Sequence, residues 1–441
     1  MTSVSNETDV LVIGGGPGGS TAAIALVQMG YRVTLLEKAH HPRFHIGESL
    51  LPANLPIFER LGVLEQVKAI GMQKWGAEFV SKFHYGRRQT FEFAESWNKS
   101  LQFAYQVRRS QLDEILIRRA AHQGAQVIEG CRVRDVEFLP GGAGAQIQAE
   151  HEDGRKESWR ARFVVDASGR DTFFGNRLNA KQRNSRHNSA AMYGHFTNAR
   201  RYTETKREGL ISIYWFEHGW FWFIPLRDGT TSVGAVVWPY YMKSRKCEVE
   251  EFFHATLAMC RPLAERLEGA QLVAGVEATG NYSYECSLSH GQNFLMVGDA
   301  YAFVDPMFSS GVMLAMNSGL VGAKAVDTCL RDPARGAAAL KQYHRMMHHG
   351  PKEYSWFIYR VTGPTMRDIF MAPRNLLRMK EALLSLLAGD IFGKSPIGPS
   401  LLAFKALYYI TSILTPRRSL AAWRRRAKNI QPAEPERMTA G

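Results

Sequence analysis

The chain has 441 residues, 45% hydrophobic and 22% charged, which at roughly 150 residues per domain leaves room for about three domain-sized units and excludes collagen, coiled coil and a disordered tail. A formal net charge of +14 points to an anionic partner without choosing among nucleic acid, anionic lipid, an acidic carrier protein and an anionic cofactor. Cys131, Cys247, Cys260, Cys286 and Cys329 are scattered without a C-x-x-C pair, which excludes a disulfide framework and a zinc knuckle and makes reducing cytoplasm the expected compartment.

The first ten residues, MTSVSNETDV, carry neither a basic region nor an apolar run, so no cleaved signal is expected, and no stretch approaches ~18 uninterrupted apolar residues. Residues 8–37 read as a β-α-β unit: an apolar run Val10 to Ile13, a glycine turn, a helix from Pro17 to Met29 and a strand from Arg32 to Leu36. Residues 75–105 are crowded with aromatics in alternation, as in Phe91-Glu92-Phe93, and predict antiparallel strands. A third strand of the first type, Arg162 to Val165, ends in Asp166-Ala-Ser-Gly-Arg170; residues 190–240 return to the aromatic texture. Phe294 to Val297 predicts a fourth strand ending in Gly298-Asp299, followed by helices from Gly311 through Leu330, from Ala338 to Met347, and in a Tyr-, Trp- and Leu-rich tail to about Trp423. The fold class expected is α/β: a Rossmann-like dinucleotide domain in three pieces (1–75, 106–178, 286–345), an inserted antiparallel-sheet substrate domain in two (76–105, 179–285), and a C-terminal helical region (346–441).

Gly14-Gly15-Gly16-Pro17-Gly18-Gly19 fits G-x-G-x-x-G, follows a predicted strand and opens a predicted helix. Gly14, Gly16 and Gly19 allow a tight turn and close approach of backbone to a pyrophosphate, and Glu37, ending the next strand, is placed to accept hydrogen bonds from a ribose. This leaves NAD and FAD open. Asp299, an acid at the end of a late strand ahead of Asp305-Pro306 and a helix, is what a ribityl chain needs, and favours FAD.

Here the sequence resembles the FAD-dependent aromatic hydroxylases and halogenases over residues 8 to about 345. Trp220-Phe221-Trp222-Phe223-Ile224-Pro225 matches W-x-W-x-I-P, the signature of flavin-dependent halogenases. In that family the two indoles, with Ile224 and Pro225, crowd the space between flavin and substrate. Lys74 lies in a segment similar to the family's K-x-G-A, downstream of Gly47-Glu48-Ser49-Leu50-Leu51-Pro52. The resemblance makes it the catalytic amine that captures hypohalous acid. Asp305-Pro306-Met307-Phe308-Ser309-Ser310-Gly311-Val312 is similar to the D-P-x-F-S-S-G-V loop of halogenases acting on phenols and pyrroles; the N–H groups of Ser310 and Gly311 would bind halide, and Phe308 stands in the substrate pocket where tryptophan halogenases hold a glutamate.

The resemblance therefore implies a halogenase of the phenol or pyrrole type, using FADH2 from a separate flavin reductase, O2 and chloride or bromide by way of a flavin hydroperoxide. The small aromatic substrate, free or on an acyl carrier protein, stays open, as does the halide. An FAD-dependent aromatic hydroxylase is the main rival. A nucleic-acid-binding module is remote, because no helix-turn-helix, zinc or RNP signature is present. His344 and His348 share a helix face with no carboxylate or cysteine pattern beside them, so no metal is expected. The basic run Arg417, Arg418, Arg424, Arg425, Arg426, Lys428 follows an apolar stretch at helical spacing, a composition that suits peripheral contact with an anionic membrane, an acidic carrier protein, or plain packing on the body.

Overall fold

The computed structural model describes residues 6–280, 283–393 and 395–430; the end of the expected C-terminal region, 431–441, lies outside these. The chain divides into two compact units, one of residues 1–71, 107–183 and 284–354, the other of residues 72–106, 184–283 and 355–441.

The first unit is built on a sheet in which Phe294–Met296, Lys156–Asp166, Asn6–Ile13, Val33–Leu36 and Gln126–Ile128 lie side by side in parallel. Val10, Leu11 and Val12 are fully buried in sequence, as a strand covered on both faces must be. The meander Cys131–Phe138, Ala145–His151 and Lys156–Asp166 extends the same sheet in antiparallel fashion. Helix Pro17–Gln28 follows the glycine turn and packs against helix Gly311–Arg331. The two backbones approach so closely that a Cβ at Gly319 would stand 2.6 Å from the Gly18 carbonyl.

The second unit holds a sheet ordered Gln271–Leu272, Ala190–Thr197, Thr231–Val237, Gly219–Pro225, Ile211–Phe216, Gly76–Ser81 and Arg87–Glu92. The expected antiparallel pairing holds at every junction but one: Ile211–Phe216 and Gly76–Ser81 run parallel, because they come from distant segments and no hairpin turn constrains them. Phe221 and Phe223 face a core closed by Phe253 and Leu257 of helix Val249–Ala258. Residues at the alternate positions, Trp220, Trp222 and Ile224, project from the opposite face. Helices Pro364–Met371, Met379–Leu387, Gly398–Leu414 and Pro416–Asn429 complete the unit. No helix of the described residues is long and apolar enough to cross a membrane.

Candidate active site

In the first unit the glycine loop is held by its own backbone geometry. Gly14 has φ +101°, and a Cβ there would lie 2.5 Å from the Ala167 carbonyl oxygen; a Cβ at Gly19 would lie 2.0 Å from that of Gly14. At Gly16, by contrast, the nearest neighbour would be the Arg43 guanidinium at 3.8 Å, and no side chain caps the helix that starts at Pro17. The loop thus presents uncapped amides to open space beside a cation, an arrangement made for a diphosphate. Buried Glu37 accepts the Gly15 N–H at 2.6 Å through Oε2 and the Ala39 N–H at 3.0 Å through Oε1, which ties the loop to the end of the second strand.

One helix gathers the other predicted residues of this unit. Ala315 of Gly311–Arg331 meets both Gly18, whose Cβ would stand 3.2 Å from its carbonyl, and Gly298, whose Cβ would stand 2.9 Å from its Cβ. Asp299 follows Gly298 in a 3-10 turn. Burial pushes the Asp299 carboxyl up to about 6, against the opposing pull of Arg109 and Arg170. Ahead of the same helix, Asp305 Oδ1 accepts the Met307 N–H at 3.1 Å, Ser309 takes φ +57°, and Ser310 supplies no side-chain cap. The helix opens with its amides uncapped at buried Ser310 and exposed Gly311, and Phe308 is buried just before them.

Arg43, Arg109 and Arg170 were not singled out by sequence reasoning, although Arg170 ends the Asp166-Ala-Ser-Gly-Arg turn. Arg109 makes two 2.9 Å bonds to fully buried Asp113, and Arg43 lies 3.8 Å from Glu37 and 3.6 Å from Asp113. The i, i+4 spacing of Arg109 and Asp113 was the available signal. FAD carries a diphosphate, a ribose and a ribityl chain. Open glycine backbone, cations and two acids beyond the C-terminal ends of strands Val33–Leu36 and Phe294–Met296 of one parallel sheet fit that group.

In the second unit, strand Met72–Lys74 pairs with Ala104–Gln106, Lys74 opposite Ala104. Lys74 is only 2% exposed, its Nζ 5.3 Å from the centre of the Phe93 ring, and burial pushes its amine down to about 7. Its surroundings are linked to the tryptophan strand by Gln106, which donates from Nε2 to the carbonyls of Gly209 at 2.8 Å and Pro225 at 3.1 Å. Gly209 in turn admits the Lys74 strand: a Cβ there would stand 1.9 Å from the Gln73 carbonyl oxygen. Trp220 and Trp222 lie on one face with ring centres 6.0 Å apart, and Trp222 donates from Nε1 to Ser232 Oγ at 3.2 Å. Gly234 makes room for that indole, since a Cβ there would come within 2.2 Å of it. Sequence reasoning missed Gln106, Gly209 and Gly234.

Elsewhere, His344 and His348 have separate partners, Ser289 Oγ and Glu285 Oε1, each at 2.9 Å. Among the described residues one group, Cys131, His151 and Glu157, brings three donor atoms within 4.8 Å of one another. They are already joined as a hydrogen-bonded chain across three strands: Arg155 donates to His151 Nδ1, leaving the ring proton on Nε2, 2.9 Å from Glu157 Oε2. Burial pushes the Cys131 thiol up to about 11, which keeps it protonated.

The glycine loop, the acids and the parallel sheet define an FAD-binding oxidoreductase, and residues 7–353 match the family model described as FAD binding domain. The chain is 36% identical to Tryptophan 2-halogenase of Chondromyces crocatus over 77% of its own length, although it spans only 65% of that relative. It is 31% identical to the 1H-pyrrole-2-carbonyl-[peptidyl-carrier protein] chlorinase of Pseudomonas fluorescens, covering 88% of this chain and 90% of that one. A flavoprotein/dehydrogenase from Cytophaga hutchinsonii superposes with a TM-score of 0.84 at 29% identity, over 92% of this chain and 99% of the other. The chain belongs to the flavin-dependent halogenase family, and its cofactor is FAD.

Proposed function

We propose that the protein installs chlorine or bromine on an electron-rich aromatic ring, a phenol or a pyrrole, and that Lys74 is the residue that delivers the halogen. The observation that carries this reading is a deeply buried lysine with its amine near pKa 7, on a strand whose partner strand is tied by Gln106 to the Pro225 carbonyl of the Trp-x-Trp-x-Ile-Pro strand. Gly14, Gly16 and Gly19 with Arg43 hold the diphosphate of FAD, Glu37 its ribose and Asp299 its ribityl chain. When bound and reduced by a separate reductase, FAD supplies with O2 the two-electron oxidant that turns halide into hypohalous acid.

The protein's own residues do the rest. The uncapped amides at Ser310 and Gly311 hold the halide. Trp220, Trp222, Ile224 and Pro225 bar an organic ring from the oxidant, so that halide takes it. The neutral Lys74 amine attacks the halogen of the hypohalous acid: the N–halogen bond forms, the O–halogen bond breaks, and the amine proton leaves with hydroxide as water. The aromatic carbon then takes the halogen, the ring loses a proton, and the amine is restored. Phe308 puts an apolar ring at the position where tryptophan halogenases hold a glutamate, which suits a phenol or pyrrole that needs no acid to activate it. Because one relative is named for tryptophan, the case against free tryptophan rests on Phe308 alone. Tethering of the substrate to a carrier protein is suggested by the name of the pyrrole relative, which matches this chain nearly end to end.

The test is mass spectrometry of products from a panel of free and carrier-bound phenols and pyrroles, incubated with enzyme, FAD, reductase, NADH, O2 and either halide. Halogenated product that requires the reductase is expected. Oxygenated product with no halide requirement, together with rapid flavin reduction by NADH or NADPH alone, would instead establish the hydroxylase.

A further inference from the structure

From Ile391 to Ala433 the sequence holds no acidic residue, while Lys405, Arg417, Arg418, Arg424, Arg425, Arg426 and Lys428 all fall within it. The same stretch carries seven of the large apolar side chains that the described residues leave most open to solvent. Leu402, Tyr409, Ile410, Ile413 and Leu414 recur at i, i+7, i+8, i+11 and i+12 along helix Gly398–Leu414 and so form one face; Ile413 is 74% and Leu414 76% exposed. The opposite face is committed: Leu401 and Phe404 are buried, and Phe404 packs on Phe357 with ring centres 5.4 Å apart.

The next helix, Pro416–Asn429, continues the pattern with Leu420 and Trp423, the latter 66% exposed. Arg417 and Arg424 flank Leu420 at i−3 and i+4, and Arg425 is exposed beside them. Arg418 bonds Asp368 at 3.1 Å and Arg426 donates to the Arg186 carbonyl at 2.9 Å, which fixes the helix with its apolar pair and free arginines outward.

We infer that these two helices are a docking surface for an anionic lipid bilayer. Charge decides the sign of the partner, and the distribution of charge decides its kind. Between Lys405 and Arg417 lie eleven residues without a charge, and those up to Leu414 make about 14 Å of helix at ~1.5 Å per residue, whose outward side chains are aliphatic or tyrosine. Such a face suits the acyl region of a membrane, with Trp423 and the arginines at headgroup depth. An acidic protein would pair with the arginines and leave the Ile413–Leu414 end in water. No helix of the described residues spans a bilayer, so the contact is peripheral. This inference does not depend on the halogenation chemistry.

Full-length protein should co-sediment with vesicles of mixed phosphatidylcholine and phosphatidylglycerol and not with phosphatidylcholine alone. High salt should release it, and each arginine replaced should weaken binding roughly fivefold. The variant Arg417→Glu/Arg424→Glu/Arg425→Glu and, separately, Ile413→Glu/Leu414→Glu should each abolish binding while keeping the wild-type circular dichroism and thermal melt; Arg132→Glu/Arg160→Glu, a change of exposed charge elsewhere, should leave binding intact. Equal sedimentation with neutral vesicles, or binding that survives both docking-face variants, overturns the inference. So does failure to bind vesicles accompanied by either of two alternatives: a dimer in light scattering that Ile413→Glu/Leu414→Glu dissociates, or an acyl carrier protein complex that the arginine variant abolishes.

Discussion

The two candidate sites handle charge in opposite ways. Around the glycine loop, Arg43, Arg109 and Arg170 surround uncapped amides and two acids, and the backbone itself forms the binding surface. Around Lys74 a single amine is buried beside Phe93, in a unit whose main sheet displays paired indoles on the strand Gly219–Pro225. The first arrangement favours an anion; the second strips water from a cation until it gives up its proton near neutrality. Binding a charged cofactor and keeping a nucleophile neutral require different surroundings, and this chain builds each from a different set of strands.

The sharpest way to separate the two regions is Lys74→Ala. Flavin absorbance and flavin reoxidation should persist, because neither needs this amine, while halogenated product should fall about a thousandfold, within the usual range for loss of a catalytic proton carrier or nucleophile. A freely diffusing thiol or phenol scavenger should trap more hypohalite than from the wild type. Lys74→Arg should not restore activity, since a guanidinium stays protonated in proteins. Product formation near the wild-type rate in Lys74→Ala would remove the lysine from the mechanism.

The complementary change is Gly19→Ala. Its Cβ would lie 2.0 Å from the Gly14 carbonyl oxygen, which must move and carry the loop with it. Overpacking of this kind costs about 1–3 kcal/mol, so FAD affinity should drop by up to about a hundredfold in a fluorescence titration. With saturating FAD, activity should return. A variant that binds FAD normally would show that the loop tolerates the shift and that the cofactor is held elsewhere.

The glycine loop was legible in the sequence because its constraints are local: positive φ at Gly14 and the close approach at Gly19 act within a few residues of chain. The helix starts at Pro17 and Gly311 and four of the five parallel strands were legible for the same reason; the fifth, Gln126–Ile128, was not. The supports of Lys74 were not, since they depend on register between distant strands. Gln106 reaches Gly209 and Pro225, and Gly234 stands opposite Trp222 in an antiparallel pair; nothing in the spacing of those residues announces the contact. The helix expected to end at Met347 in fact runs from Pro333 to Val361 through Pro351. Proline there removes one intrahelical bond, yet the burial of Tyr354, Phe357 and Ile358 beyond it keeps the helix going.

The smallest effect, and the one that tests the physical cause most directly, is in the pH dependence of Lys74. With the amine pushed down to about 7, the neutral form dominates at pH 8 and is about a tenth of the total at pH 6, so a rate that needs the neutral amine should fall about tenfold between these values and level off above them. Stability should follow the same group. Between pH 7 and the ordinary lysine value of 10.5 the unfolded chain keeps a proton that the folded chain has released, so folding strengthens as pH rises through that window; below it the cost of burying the charged amine is at its full value and no longer changes with pH. Lys74→Met removes the ionisable group but keeps an unbranched side chain. Its melting temperature should exceed that of the wild type most at pH 7 and below, with the gap narrowing steadily towards pH 10. A gap that does not change with pH would mean that Lys74 titrates at its ordinary value, and the neutral nucleophile at the centre of the second site would be lost with it.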